Sequence, residues 1–441
     1  MVAVNGKPGD LTTVVQNGNV ISHTMHRHEP PVTGLPIGVI HEDDDLLVID
    51  KPAGVPVHSA GRYHYNSIIE ILRAERGYQY QPRPCNRLDR LTSGVMFIGK
   101  HPKAAEAMCF RLKQRTVQKE YVARVKGKFP DGVIVCDQPI MQVSPKLGLN
   151  RVRATGKEAK TEFRRLAYYP PRPQQHSSAN WPVLVHEQEG YSIVHCLPLT
   201  GRTHQIRVHL QFLGHPISND PIYSNRRVFG PGLGKNEDTE DRDDEIVDRL
   251  SSMGKTDLAD DTVPYRTHLT AVPSVPPDAD PSVIEEIMSR EHEAAVHEYH
   301  QRRGERLSGK HCRVCGTELY TDPSPHELGI FLHAIAYADN GGGWKYRSKM
   351  PSWALPPDGL SGPSEMPDWL PPGEGEAVLV GRGTIPEGLD NDDDDAMPAL
   401  VQGVGMVDIS AKARRHVDGN VGLEDGSREG YTDSVDIAST A

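Results

Sequence analysis

The segment Cys-Asn-Arg-Leu-Asp-Arg-Leu-Thr-Ser-Gly (85–94) places one acidic residue, Asp89, between two arginines, Arg87 and Arg90. Nearby cations lower the pKa of a carboxyl group and keep it ionised, as a nucleophile requires. An aspartate that only pairs with its arginines or caps a turn would look the same in isolation. The segment is therefore a candidate nucleophilic site that depends on support from elsewhere in the chain.

Two later segments carry side chains that suit a site around such a carboxylate. Lys-Glu-Tyr-Val-Ala (119–123) offers Lys119 and Tyr121, and Leu-Thr-Gly-Arg-Thr-His-Gln-Ile-Arg-Val-His-Leu (199–210) offers Arg202, His204 and Arg207. Arginine can keep a carboxylate charged in a dry pocket. Tyr121 could equally belong to the core, and the second segment could be an ordinary polar helix face. Its histidines imply no metal triad, because no acidic partner stands at ligand spacing.

Taken together and in this order, these segments resemble the RluA-type family of pseudouridine synthases. The resemblance also includes Asp-Lys-Pro-Ala-Gly-Val-Pro-Val-His (50–58), Gly-His-Pro-Ile (214–217) and Asp-Pro-Ile-Tyr (220–223). It runs from about residue 34 to 223 and resumes at 328–334, which is similar to the family's closing strand. It implies an RNA-modifying isomerase that uses an aspartate nucleophile and needs no cofactor.

The resemblance implies a role for each matching residue. Asp89 matches the catalytic aspartate, and Tyr121 matches a tyrosine that stacks on the target base beside its C5 atom. Arg207 matches a basic residue that pairs with the aspartate, and Arg87 one that helps to displace the target nucleotide from its stack. The remaining residues expected to bind RNA are Arg90, Lys119, Arg202 and His204.

A few positions indicate which branch of this family the chain resembles. Asn86 stands where many bacterial members have histidine, and His-Arg-His-Glu-Pro-Pro (26–31) and Gly-Arg-Tyr-His-Tyr-Asn-Ser (61–67) are similar to a fungal tRNA-modifying branch. That resemblance implies position 32 of the tRNA anticodon loop as the target. The alternatives are a synthase for rRNA or another RNA, and a non-catalytic RNA-binding protein that kept the fold. A fused zinc deaminase is excluded, because the chain contains no H-x-E motif.

The elements that must position these residues are mostly strands. Period-two and short apolar runs predict strands at 46–50, 95–99, 118–125, 163–169 and 191–197. A helix is predicted from Pro102, and a helix or turn-helix at 202–212. Because strands outnumber helices without regular alternation, we expect an α+β fold with a mixed, mainly antiparallel central sheet and flanking helices.

Composition and charge predict five segments. Residues 1–33 are a lead-in similar to the end of an S4-like RNA-binding module, with a plain strand pair as the alternative. Residues 34–227 form the catalytic core, 228–325 an acidic insertion, 326–357 the closing strands, and 358–441 a disordered acidic tail. The chain has a net charge of −11, yet 34–227 carries 28 Lys and Arg against 17 Asp and Glu. This basic core suits a polyanion, and we expect RNA, specifically tRNA, as the partner.

The insertion contains Cys312-Arg313-Val314-Cys315, with His311 and His326 nearby. Because structural zinc takes four ligands and this motif supplies two, we interpret it as free thiols and expect no metal site, with zinc at Cys312 and Cys315 as the weaker alternative. Six cysteines make no disulfide framework in a chain of this length. No apolar run could span a membrane. The start lacks a signal-peptide pattern, so we expect an intracellular protein, cytoplasmic first, with nucleus or mitochondrion as alternatives.

Overall fold

The structure is a computed structural model. It describes residues 2–10, 12–23, 26, 28–59, 61, 63–171, 190–252, 286, 289, 290, 293, 307–320, 325–367 and 377–380.

The described residues form a mixed set of strands and helices. The strands before the first long gap are β1 (Val2–Val4), β2 (Lys7–Pro8), β3 (Ile21–His23), β4 (Gly38–Glu42), β5 (Leu46–Lys51), β6 (Arg83–Pro84), β7 (Ser93–Gly99), β8 (Val117–Lys126), β9 (Val133–Asp137), β10 (Ile140–Ser144), β11 (Leu149–Val152) and β12 (Lys160–Tyr169). The later strands are β13 (Tyr191–Pro198), β14 (Leu307–His311), β15 (Glu318–Tyr320), β16 (Leu332–Asp339), β17 (Lys345–Arg347) and β18 (Ala377–Val380). The α-helices are α1 (Ile68–Arg76), α2 (Pro102–Lys113), α3 (Gln205–Phe212), α4 (Arg226–Phe229) and α5 (Asp243–Ser252).

Within the described ranges, one sheet of eleven strands dominates the fold. Its main path runs β18-β9-β12-β13-β8-β16-β7-β5-β4, with β17 paired to β16 and β6 paired to β7. Two pairings are parallel, β16 with β7 and β18 with β9, and the others are antiparallel. The expected α+β fold with a mixed, mainly antiparallel sheet is confirmed.

The apolar runs that predict strands are the buried centre of this sheet. Leu47, Val48 and Ile49 of β5 and residues 95–98 of β7 have almost no exposed surface. Neighbouring residues of a strand point to opposite faces, so a continuous apolar run requires that both faces are covered. Helix α2 begins at the predicted Pro102, where a residue without an N–H group loses no hydrogen bond. Helix α3 begins at Gln205, three residues after the predicted start.

The late strand β16 joins the two halves of the sheet that carry the candidate site. It lies between β8, which contains Tyr121, and β7, which follows the loop of residues 85–92 that contains Asp89 (the Asp89 loop). At Gly94 the φ angle is +113°, and a Cβ atom there would collide with the backbone of Ala334 on β16. Only glycine tolerates both that angle and that approach. The glycine of the Thr-Ser-Gly segment is therefore required by packing, because it lets β16 approach the site closely.

Residues after 227 are more closely integrated with the core than their acidic composition predicts. Val228, Phe229, Ile246 and Leu250 belong to the main apolar cluster. The carboxylate of Asp243 accepts hydrogen bonds from two buried arginines of the core, Arg151 and Arg153. The predicted core boundary at 227 therefore falls inside packed structure, and the core continues to α5. The boundary was predicted from the acidic composition after residue 227, but Asp243 in that segment neutralises arginines that are buried in the core.

The predicted disordered tail also needs correction where the structure describes it. Met366 is buried in a cluster with Tyr169 and Ile335. Residues 377–380 form β18, which extends the sheet beside β9. The remainder of the predicted tail and most of the predicted insertion lie outside the described residues.

The lead-in segment forms a small three-stranded antiparallel sheet of order β2-β1-β3, and its side chains are largely exposed. Its similarity to an S4-like module stays a prediction. None of the helices in the described part of the chain is long and apolar enough to cross a membrane.

Candidate active site

The Asp89 loop connects β6 to β7 at the end of the sheet where β8 and β16 also pass. Leu88 is buried and anchors the loop in the core. The N–H of Thr92 donates to the carbonyl of Asp89 (3.1 Å), which closes a tight turn directly after the acid. The Asp89 side chain keeps 36 % of its surface exposed. The turn therefore presents the carboxylate at a surface opening and leaves it reachable.

Arg207 joins two carboxylates that are far apart in sequence. Its Nη1 donates to Asp89 Oδ2 (3.1 Å). On the other side, its Nε and Nη2 donate to the two oxygens of Asp220, at 2.6 and 3.0 Å. Asp220 is fully buried and also accepts the N–H groups of Ile222 and Tyr223. A two-pronged contact fixes the plane of a guanidinium group, so Asp220 orients Arg207 toward Asp89.

His204 lies on the other side of the same carboxylate. The hydroxyl of Tyr223 accepts from the N–H of Asn150 (3.1 Å) and lies 3.0 Å from His204 Nδ1. The other ring nitrogen, Nε2, lies 3.6 Å from Asp89 Oδ2. Burial lowers the pKa of His204 to about 4, so the ring is neutral near pH 7.

The backbone at His204 is unusual, with a φ angle of +58° at the start of α3. Non-glycine residues seldom adopt this region, and those that do concentrate at functional sites. The conformation turns the chain sharply between β13 and α3. Because of this turn, His204 and Arg207 both approach Asp89.

Lys51, at the end of β5, lies beneath the loop and is completely buried. Its ammonium group donates to the carbonyls of Pro52 (2.9 Å), Val55 (2.9 Å) and Arg90 (3.3 Å). Burial lowers the pKa of Lys51 to about 7, and the charge of Asp89 acts in the opposite direction. Three carbonyls match the three hydrogens of an ammonium group, and with a pKa of about 7 that charged form is in balance with the neutral amine near pH 7.

These neighbours decide the ionisation of Asp89. Burial is the largest single influence and would raise the pKa of the carboxyl group, but the charges around it outweigh that effect. The net pKa lies below the ordinary value for aspartate. Since His204 is neutral and Lys51 only partly charged near pH 7, Arg207 is the main cation that acts on Asp89 there. Asp89 is therefore a carboxylate at neutral pH, the state that a nucleophile needs.

Tyr121 is positioned by a second hydrogen-bonded set. The N–H of Phe97 donates to Asn86 Oδ1 (2.9 Å), and Asn86 Nδ2 donates to the hydroxyl of Tyr337 (3.3 Å). The hydroxyl of Tyr337 lies within hydrogen-bond distance (2.9 Å) of the hydroxyl of Tyr121. Burial raises the pKa of Tyr121 to about 12. Its phenol is therefore neutral, available for stacking and hydrogen bonding and unsuited to act as a base.

Asp89, Tyr121 and Arg207 share one cavity of about 280 Å³. Its lining also includes Asn86, Lys119, Arg202, His204 and Tyr337. The exposed Arg87 lies at its edge. The cavity combines one carboxylate, aromatic rings and several cations, a combination suited to a planar group carried on a phosphate chain.

Most of the site residues predicted from the sequence line this cavity, whereas Arg90, Cys312 and Cys315 do not. Arg90 does not line this cavity: its guanidinium lies 5.8 Å from the centre of the Tyr63 ring. Arg202 lines it, although its Nε donates to the carbonyl of Glu158 (2.8 Å). Cys312 and Cys315 are outside the cavity and lie beside two histidines of the lead-in segment.

Sequence reasoning assigned no role to four residues that organise the site, Lys51, Asp220, Tyr223 and Tyr337. Three of them stand in segments or motifs that carry the family resemblance, which was the available signal. Tyr337 gave no signal, because in sequence it is one apolar residue of a late strand. Its place beside Tyr121 follows from the pairing of β16 with β8.

Comparison with known proteins identifies the family. A family profile described as RNA pseudouridylate synthase matches residues 45–212. The tRNA pseudouridine(32) synthase, mitochondrial, of Saccharomyces cerevisiae is 40% identical over 367 residues, which cover 80% of this chain and 67% of that protein. Pseudouridylate synthase RPUSD2 of Homo sapiens is 36% identical, over 80% of this chain and 64% of that protein. The tRNA pseudouridine(31) synthase of Saccharomyces cerevisiae is 29% identical, over 78% and 80%.

This chain thus spans about two thirds of the length of the first two relatives. Among solved structures, Human RNA Pseudouridylate Synthase Domain Containing 4 aligns over 72% of this chain and 90% of its own, with 21% identity and a TM-score of 0.39. The residues matched by the family profile include Asp89, Tyr121 and Arg207. The chain belongs to the RluA-type family of RNA pseudouridine synthases.

Proposed function

We propose that this protein converts a uridine of RNA to pseudouridine, with Asp89 as the nucleophile and a tRNA anticodon loop, at position 32, as its substrate. One observation carries the proposal. Asp89 is an accessible carboxylate, bound by Arg207, in a cavity that it shares with Tyr121. No cofactor enters the proposal, since the reaction changes neither the atoms nor the oxidation state of the uridine.

The reaction is an isomerisation, so its atoms balance within the substrate. The N1–C1′ bond breaks, a C5–C1′ bond forms, the hydrogen on C5 leaves, and N1 takes up a proton. A carboxylate can act by adding to the base or by removing a proton from the sugar. In either route it must be ionised, and Arg207 and Lys51 keep it so.

The size of the cavity implies that a single nucleotide enters. The cavity has a volume of about 280 Å³. A stacked helix does not fit such a space, so the uridine must leave its stack, at a cost of a few kcal/mol. Stacking on Tyr121 offsets part of that cost. A loop nucleotide is easier to extrude than one in a duplex, which favours a hairpin loop as substrate.

The choice of tRNA rests on the relatives and on charge. Two of the yeast relatives are named for tRNA positions 32 and 31. Arg87, Lys119 and Arg202 surround the cavity and supply cations for the phosphates next to the target nucleotide. The yeast relative with 40% identity is named as mitochondrial, so a mitochondrial location joins the cytoplasm as a place to test by localisation of the tagged protein.

The test incubates the purified chain with tRNA transcripts that carry uridine at position 32, and maps pseudouridine by mass spectrometry. We expect conversion at that position and none in a matched transcript with cytidine there. Asp89→Asn should lose on the order of 10³-fold or more in turnover and still bind the RNA, because phosphate contacts supply most of the affinity.

Binding without turnover by the unaltered chain would favour the non-catalytic RNA-binding alternative. Conversion of rRNA fragments instead of tRNA would overturn the substrate and leave the reaction intact. Full activity of the Asp89→Asn variant would exclude Asp89 as the nucleophile.

A further inference from the structure

We propose that His26, His28, Cys312 and Cys315 form a structural zinc site that ties the lead-in segment to the hairpin of the insertion. The site is separate from the isomerase cavity and does not depend on the proposed function. Its ligands come in two pairs from distant parts of the chain. One pair is the His-x-His motif of the lead-in segment, and the other is the Cys-x-x-Cys motif between β14 and β15. We refer to these four residues as the His-Cys cluster.

The four candidate ligand atoms converge on one point. Nε2 of His26 lies 3.2 Å from Sγ of Cys312, and Nε2 of His28 lies 3.1 Å from Sγ of Cys315. All four ligand atoms lie within 4.8 Å of one another. In a tetrahedral site with Zn–S bonds of about 2.3 Å and Zn–N bonds of about 2.0 Å, neighbouring ligand atoms are separated by roughly 3.3 to 3.8 Å. Small side-chain adjustments bring the cluster to that geometry.

The donor set selects the metal. Two thiolates and two imidazoles are soft and borderline ligands, which favour zinc over magnesium or calcium. Four protein ligands leave no open position, which is the arrangement of a structural zinc site and not of a catalytic one. Neither cysteine is in a disulfide. The sequence showed two of these ligands, and the fold supplies the other two as His26 and His28. The neighbouring His311 is not in the cluster.

The cysteine half is shaped as a turn that presents both sulfurs on one side. It connects β14 to β15, and the N–H of Gly316, where φ is +71°, donates to the carbonyl of Cys312 (2.9 Å). The N–H of Val314 lies 3.3 Å from Cys312 Sγ, and the hydroxyl of Thr317 lies 3.2 Å from Cys315 Sγ. Hydrogen bonds to ligand sulfurs orient them and are typical of the surroundings of a metal site.

The histidine half is attached to the core by its next residue. The carboxylate of Glu29 accepts the N–H groups of Tyr65 and Asn66, both at 2.9 Å. The amide of Asn66 donates to the carbonyl of Pro30 (3.0 Å). These contacts hold the chain that carries His28 against the loop before helix α1. The histidines are therefore presented by an anchored segment to the cysteine turn.

The anchored loop leads toward the candidate active site. It contains Tyr63, whose ring lies under the guanidinium of Arg90, the residue after Asp89. A metal in the His-Cys cluster would thus connect the insertion hairpin, through the lead-in segment, to the wall of the loop that carries the nucleophile. The His-Cys cluster would therefore act as a structural cross-link, and its ligands lie at the surface of the fold.

The test measures metal content directly. The full chain is purified without a metal-affinity tag, dialysed against metal-free buffer, and analysed by inductively coupled plasma mass spectrometry. We expect about one zinc per chain, reduced at least tenfold in Cys315→Ser and in the double variant His26→Asn with His28→Asn. Matched controls are His311→Asn, the exposed histidine beside the cluster, and Cys109→Ser, an exposed cysteine outside it. Both controls should keep the metal.

A second readout does not need the variants to fold. Replacement of zinc by cobalt in the unaltered chain should give the strong visible bands of tetrahedral cobalt and a sulfur-to-cobalt charge-transfer band. Zinc that disappears in the cysteine variant but persists in the histidine variant would overturn the link to the lead-in segment. A chain that binds no zinc and gives no tetrahedral cobalt spectrum would overturn the site altogether.

Discussion

Asp220 binds Arg207 through two buried hydrogen bonds, and this contact orients the guanidinium whose remaining nitrogen reaches Asp89. Arg207 and Asp220 are thirteen positions apart, on either side of the turn that ends α3. Without Asp220, a cation would still be present near the nucleophile, but the two-pronged contact that fixes its plane would be lost. The carboxylate of Asp89 therefore depends on a residue that does not touch the cavity.

Asp220→Asn should lower kcat by about 10- to 100-fold with KM changed by less than about threefold, because positioning is lost while RNA contacts remain. The free energy of unfolding should fall by about 1 to 3 kcal/mol, because the buried Arg207 loses its two-pronged carboxylate partner and keeps the hydrogen bond to Asp89. Steady-state kinetics and urea unfolding check both values. Asp137→Asn is the control, because that carboxylate is half exposed and pairs with Lys160 only at 3.7 Å. Equal kinetic losses in both variants would refute the positioning role.

Tyr121→Phe should keep activity within about tenfold of the unaltered enzyme, whereas Tyr121→Leu should lose about 10- to 100-fold more. A phenyl ring retains the stacking face, which is worth about 1 to 3 kcal/mol for a base, and leucine does not. Single-turnover conversion of the tRNA transcript measures both variants. A Phe variant as inactive as the Leu variant would show that the hydroxyl near Tyr337, and not the ring, carries the role of this residue.

Stability should fall as the pH is lowered from about 6.5 to about 4. Burial lowers the pKa of His204, His209 and His215 to about 4 each. Between that value and the ordinary one of about 6.5, the unfolded chain binds protons that the folded chain does not, so unfolding becomes easier as protons are added. The expected loss is on the order of 1 to 3 kcal/mol for each histidine.

Urea unfolding at a series of pH values between about 7.5 and 5 measures this slope. His209 is a suitable probe, because its Nε2–H donates to the carbonyl of Gln138 and its Nδ1 lies 2.9 Å from the hydroxyl of Thr161. Burial, and not either hydrogen bond, is what disfavours the charged ring at this position. His209→Gln should reduce the slope. An unchanged slope in this variant would mean that His209 does not take up a proton on unfolding.

Gly94→Ala should destabilise the protein by more than about 3 kcal/mol, because it adds a clash with the backbone of Ala334 to the strain of a positive φ angle. Gly132→Ala is the matched control. Gly132 has a φ angle of +80° and open space around it, so its cost should be about 1 to 2 kcal/mol. Thermal unfolding of the two variants separates the clash from the strain. Equal shifts would contradict the close approach of β16 to β7.

Much of the fold could be predicted because its signals are local. The runs at 46–50 and 95–99 are apolar enough to require a buried strand, and β5 and β7 are found there. The boundaries at 227 and 358 could not be predicted from acidity. Asp243 neutralises arginines that are buried for other reasons, and Met366 packs against strands more than 160 positions earlier. The composition of a segment gives only its average polarity. Whether one of its residues is buried depends on which side chains the fold places next to it.

The sequence by itself determined the family, the candidate nucleophile and the residue types that surround it, because each of these is written in a short segment with its own chemistry. Only the tertiary structure decided which segments meet. It placed His204 beside Tyr223, oriented Arg207 through Asp220, and placed His26 and His28 beside cysteines more than 280 positions away. Contacts at such separations follow from strand order and turn geometry, which no local pattern of residues encodes.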